Sequence, residues 1–160
     1  MKKLVIFPCL ISFFLLFIAC PMEDRDIITV YNHTEHNISF FLADFYYSDE
    51  WNPIYPDTAI IDIRWIGLEL YRAVKDKPTW CEVAPLKDTY KEMKTDTLCF
   101  FIFDTDTINK YDWEMVQNEY KILQRYDLSL QDFKRLKYTL SYPPSEAMKN
   151  IKMYPPYGTK

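Results

Sequence analysis

The sequence predicts an α+β domain, mainly antiparallel β-sheet or a small sandwich, with short helices in the C-terminal half. Three observations carry this expectation. Short alternating or β-branched stretches bounded by polar turns recur along the first half of the chain. The run Leu98-Cys99-Phe100-Phe101-Ile102-Phe103 is apolar on both faces, as a strand covered on both sides must be. Beyond it come helix-start signals: Asp112 ahead of Trp113, and Ser129-Leu130-Gln131-Asp132 with capping-box spacing.

Residues 28–31 alternate and are rich in β-branched side chains, which predicts a first strand. A polar turn, 32–37, leads to a second strand at 38–42, expected to pair with the first as a hairpin. Residues 43–58 read as a loop, with Asp, Asn and two prolines. Ile61, Ile63 and Trp65 alternate with Asp62 and Arg64, a half-buried strand whose phase changes at a bulge near Gly67. Within 72–96 only a short helix at 87–93 suggests itself. After the central strand, a helix runs from Asp112 through Val116, a strand starts at about Tyr120, and a second helix places Leu130, Phe133 and Leu136 inward. The basic residues Lys134, Arg135 and Lys137 near its end suit the helix dipole. Residues 138–142 form a last strand, stopped by Pro143-Pro144, and the Pro-rich tail 145–160 is expected to be loose.

The N-terminus is an address rather than part of the fold. Lys2 and Lys3 precede an apolar run, 4–18, shorter than the roughly 20 residues a spanning helix needs. Ala19 is small, and the charged stretch Glu23-Asp24-Arg25-Asp26 follows closely. This is the three-part pattern of a secretory signal. The expected organisation is therefore a signal peptide at 1–19, a tether at 20–26, one globular domain at 27–144 and the tail.

Composition narrows the chemistry. The chain has 160 residues, 49% of them hydrophobic and 18% aromatic, and only two glycines, Gly67 and Gly158. Neither a phosphate-binding loop nor a dinucleotide fingerprint can be built with so few. Loss of Lys2 and Lys3 with the signal leaves 17 basic against 23 acidic residues, a charge of about −6. Such a surface repels phosphate backbones and argues against nucleic acid as a partner.

Phe17-Ile18-Ala19-Cys20 resembles the bacterial lipobox, in which the cysteine thiol receives diacylglycerol before cleavage makes it the first mature residue. The acidic stretch after Cys20 resembles the export signal that takes lipoproteins of Bacteroidota-type bacteria to the outer face of the outer membrane; an ordinary solvated tether is the other reading. Residues 28–32, 96–104 and 126–144, with the stretches DTLCFFIFD and YDLSLQDF followed by YPP, resemble small Bacteroidota-type lipoproteins of unknown function. That resemblance implies an envelope location and a strand-rich domain, and brings no catalytic residue with it. Asp57-Thr58-Ala59 is similar to the O-glycosylation acceptor of the same envelopes, which makes Thr58 a modification candidate.

No arrangement of reactive residues stands out. His33 and His36, with Glu35 between them, fall in a turn and supply too few ligands for zinc. Asp104-Thr105-Asp106 follows the central strand and reads as a strand end and the cap of the next turn rather than a metal pair. Cys81 and Cys99 are available for a disulfide worth about 3 kcal/mol in the chain-entropy model, although a free buried thiol is the more ordinary state for Cys99 in an apolar strand. No catalytic residue, metal or cofactor is assigned. The expectation is a lipid-anchored envelope protein, a non-catalytic binding or assembly module carrying a patch of exposed aromatics. Its partners would be the membrane, through the anchor, and an envelope protein or glycan. The alternative is a small carboxylate-dependent hydrolase, which needs two converging acids, one with a raised pKa. Lipidation is tested directly: a palmitate analogue fed to expressing cells should label the wild type and leave Cys20→Ser unlabelled. Equal labelling would contradict it.

Overall fold

A computed structural model describes residues 25–43, 70–93 and 96–159. Eight strands are described: β1 (Asp26–Asn32), β2 (Ile38–Ala43), β3 (Tyr71–Ala73), β4 (Pro78–Val83), β5 (Leu98–Asp104), β6 (Gln124–Leu128), β7 (Thr139–Tyr142) and β8 (Lys152–Tyr154). They form two sheets. One has the order β4-β1-β7 and the other β3-β2-β5-β6-β8. All pairings between these strands are antiparallel except that of β1 with β7. Among the described residues there are also four short α-helices, α1 (Leu86–Glu92), α2 (Thr105–Lys110), α3 (Trp113–Asn118) and α4 (Leu130–Arg135), and one 3-10 turn, Glu146–Met148. The α+β architecture is the one the sequence predicts.

The layers follow from burial. Leu98, Phe100 and Ile102 face one side of β5 and pack in one core with Ile28, Val30, Cys81, Val83 and Leu140 from the three-stranded sheet. Phe101, Phe103 and Cys99 face the other side and pack with Phe41, Trp113 and Val116, under α2 and α3. The order of layers is thus small sheet, large sheet, then α2 and α3, while α1 and α4 pack into the first core through Leu86 and Phe133. Aromatic rings tie the large sheet together on both faces. Tyr71, Phe40, Phe100 and Tyr126 stack across four strands at 5.5, 5.3 and 6.3 Å between centroids. On the helix side Phe41 lies 5.2 Å from Phe101, and Trp113 meets Phe103 edge-on at 5.6 Å. Such pairs add to the gain from area burial. The Tyr126 hydroxyl donates to the Ser141 carbonyl at 2.7 Å and so joins the two sheets directly.

Three local expectations hold. Asp112 caps α3 through its side chain and the Met115 amide, at 2.7 Å. Ser129 and Asp132 form a full capping box at α4. Asp104 is a cap as expected, accepting from the Thr107 amide at 2.8 Å, but what it caps is a helix, α2, where a turn was expected.

Three expectations are corrected. β1 and β2 are not a hairpin; they lie in different sheets. β1 alternates buried and partly exposed positions and can cover one side of the core, whereas every residue of β2 is buried and needs cover on both sides. Asn32, fully buried, fixes the crossing. Its amide donates to the carbonyls of His36 and Ala73 at 2.6 and 3.2 Å, and its oxygen accepts from the Thr34 amide and hydroxyl. The strand expected from Tyr120 starts at Gln124, because Tyr120 takes a left-handed φ of 49° that closes α3, with the Lys121 amide donating to the Val116 carbonyl. The tail is not loose. Met148 and Ile151 enter the main core, β8 pairs with β6, and the Gln124 side chain donates to the Pro155 carbonyl at 2.7 Å. Of the two readings open for Cys81 and Cys99, the structure has the thiols: no disulfide joins them. Cys81 lies between the sheets and Cys99 on the helix side of the large sheet, so their side chains point into different cores. Cys20, Thr58, the strand expected at 61–65 and the bulge near Gly67 lie outside the described residues.

Two measurements follow. Phe100→Ala should cost about 3–5 kcal/mol in urea unfolding, as for a buried Phe in a filled core; an unchanged midpoint would contradict the layer order. Peptide mapping without reductant should find no peptide linked through Cys81 and Cys99.

Candidate functional site

Among the described residues, two places depart from an ordinary core or an ordinary surface. The first is a buried polar cluster on the helix side of the large sheet. Arg125 and Asp127 stand two residues apart on β6, hence on the same face. Both are almost wholly buried, and Arg125 Nε donates to Asp127 Oδ1 at 2.6 Å. The guanidinium also lies 5.7 Å from the Phe101 ring centre, over its face. Lys152, from β8, reaches Asp127 Oδ2 at 3.1 Å, and the Cys99 thiol donates to Oδ1 at 3.4 Å. Tyr120 packs edge-on against Tyr154, 5.4 Å away.

This constellation of thiol, carboxylate, guanidinium and phenol has the residue types of an active site, but its electrostatics oppose one. Burial pushes the Cys99 thiol up to about 12, outweighing the pull of Arg125 in the other direction. The thiol is therefore protonated at neutral pH, and the thiolate is the nucleophile. Burial likewise raises Tyr120. Both oxygens of Asp127 are occupied by cationic donors, which leaves it poorly placed to take a proton from a substrate. What the cluster does is fasten β8 to the sheet, through Lys152–Asp127 beside the backbone pairing of Arg125 with Tyr154.

The second place is the outer face of the three-stranded sheet. Ile28, Val30, Cys81, Val83 and Leu140 point inward, so strand alternation turns Ile27, Thr29 and Tyr31 of β1 outward, with Pro78, Trp80 and Glu82 of β4. Register sets Thr29 opposite Trp80 and Ile27 opposite Glu82, which makes Ile27 and Trp80 diagonal neighbours, within reach of one another for a large side chain. Trp80 is 64% exposed and Ile27 52%, the two highest values among the large apolar side chains of the described residues. At the far end of β1, the His33 ring lies parallel to Tyr31, centroids 6.1 Å apart, and His33 Nδ1 is 3.2 Å from Asp76 Oδ1.

The sequence-derived candidates fare differently. His33 and His36 are exposed, but His33 pairs with Asp76 and Glu35 pairs with Lys75 at 2.5 Å, so the three do not converge. Among the described residues, no three metal-ligating side chains gather in one place. Asp104 is spent on a cap, as its position suggested. The carboxylates that shift do so away from acid catalysis. Asp132 is raised by burial, but hydrogen bonds from Ser129 and Arg135 outweigh this and hold it below its usual range. Glu146 is lowered by its bonds to Lys149 and Tyr157. A general acid needs the opposite shift.

Sequence reading missed both the cluster and the outer face. The signal for the latter was present in Thr79-Trp80-Cys81-Glu82-Val83, whose alternation marks Trp80 as the side chain left outside. No protein-family model matches this chain, and no curated protein or solved structure is significantly similar to it.

The fastening role of the cluster has a measurable consequence. Asp127→Ala removes the carboxylate that Arg125 and Lys152 share in a buried layer and should cost about 3–5 kcal/mol, whereas replacing both members of the pair with apolar residues, Arg125→Met with Asp127→Leu, should recover most of that. Urea midpoints of the three proteins check it.

Proposed function

We propose that this chain is a lipid-anchored envelope protein that works by contact rather than catalysis, and that the outer face of the three-stranded sheet is its contact surface. The observation that carries this reading is the adjacent exposure of Trp80 and Ile27 on a regular sheet face. Removing apolar surface of this size from water would be favourable, at roughly 25 cal/mol per Å², and tryptophan is enriched where proteins meet partners. Among the described residues the other exposed large apolar side chains, such as Tyr154 and Tyr157, are exposed less than these two.

The anchor half of the reading rests on the signal-like N-terminus and its lipobox resemblance at Cys20. Several buried acyl chains, each CH₂ contributing about 0.8 kcal/mol, hold a protein on a bilayer without a spanning helix. Placement at the outer membrane rests on the acidic residues that follow. A carboxylate-dependent hydrolase is less well supported, since Asp132 and Glu146 are both lowered and Asp127 is saturated with cationic donors.

Photo-crosslinking tests the contact surface. Benzoylphenylalanine is placed at Trp80 in the anchored chain, and in a second protein at Glu114, an exposed residue of α3 on the opposite layer. Irradiation of intact envelopes should give several times more adduct from position 80. Equal yields would remove the outer face as the contact surface.

A further inference from the structure

We infer that the occupant of this face is the bilayer interface itself, to which the chain's own anchor delivers it. The inference rests on the lipid-anchor reading above and names the partner of the same face.

The first argument is reach. β1 begins at Asp26, six residues beyond Cys20, and Ile27 is one residue further. Even fully extended, seven residues span at most about 25 Å, at 3.3–3.6 Å each. A flexible chain of that length has a root-mean-square span of about 15 Å. A domain of this size has a radius of gyration of about 14 Å. The tether is therefore no longer than the domain it holds, and the part of the domain nearest the tether is kept against the lipid surface. That part is the start of β1, where Ile27 points outward.

The second argument is chemistry. Tryptophan concentrates at the boundary between headgroups and acyl chains, where its apolar ring and N–H are both accommodated. Ile27 beside it offers an aliphatic wedge. A sugar-binding face would call for flat rings flanked by hydrogen-bonding groups, but Ile27 has no flat surface to stack on, and the polar side chains beside the pair on β1 and β4 are Thr29 and Glu82.

The third argument is charge. The mature chain carries about −6, so the domain has no electrostatic attraction to anionic lipid. Two apolar side chains do not bind a membrane firmly by themselves. Tethering changes the balance, because a short linker gives an effective local concentration in the millimolar range, at which a weak contact is occupied. The small sheet then lies along the bilayer, and the layer of α2 and α3 faces away from it.

The test uses the full lipidated protein in vesicles of phosphatidylethanolamine and phosphatidylglycerol containing phosphatidylcholine spin-labelled near the headgroup. The chain has four tryptophans, so the emission of Trp80 is taken as the difference between wild type and Trp80→Phe. Flotation of the vesicles is read on the same samples. The expected result is that both proteins float and that the Trp80 component is blue-shifted and quenched several-fold by the spin label. An Ile27→Ser variant should float equally and lose much of that quenching. Wild type that floats with an unquenched, red-shifted Trp80 overturns this inference alone. If the quenching is absent but isolated envelope glycan or a partner protein shifts the Trp80 emission, the face belongs to that partner, and the inference is again overturned. Wild type that does not float overturns the anchor reading beneath it.

Discussion

β5 has no face it can show to water. Leu98 to Phe103 are all buried, and alternation sends three of them to each side. Covering one side takes the three-stranded sheet together with α1 and α4, and covering the other takes α2 and α3. Its edges are occupied by β2 and β6, which are themselves buried along their whole lengths. The three-layer order, and the unequal sizes of the two sheets, follow from that demand. Among the described residues the outer face of the small sheet is a regular surface that carries exposed apolar side chains, Ile27 and Trp80.

Apolar patterning made the central strand legible, because a six-residue apolar run between turn signals leaves little choice. Caps were legible for the same local reason: Asp112, Ser129 and Asp104 each satisfy amides within three residues of themselves. Long-range pairing was not. The turn at 32–37 looks like a hairpin connection, yet the burial demand of β2 outweighs proximity in sequence. The continuous run Ile38-Ser39-Phe40-Phe41-Leu42-Ala43 was the sign of that demand. The C-terminal strand was hidden by its prolines, since Ile151 and Met153 alternate only briefly before Pro155.

Arg125 and Asp127 show a different limit. In sequence they look like the solvent side of a half-exposed strand. In the fold they neutralise each other within an apolar layer, with Lys152 and Cys99 satisfying the remaining carboxylate valences. A buried pair of this kind is weak evidence for stability, because desolvation offsets the attraction. Its effect here is to specify where the C-terminal strand docks. The contact face poses the reverse problem: Trp80 was one aromatic among many, and only the register of β4 against β1 sets it beside Ile27.

Amide hydrogen exchange across the folded chain tests the dependence on β5 most directly. If both faces and both edges of this strand are covered as described, the amides of Phe100 to Phe103 exchange only through global unfolding, and their protection equals the full unfolding free energy. The three-residue strand β8, held at the sheet edge, should open at lower cost. Exchange from the centre of β5 at the same low free energy as β8 would contradict the account.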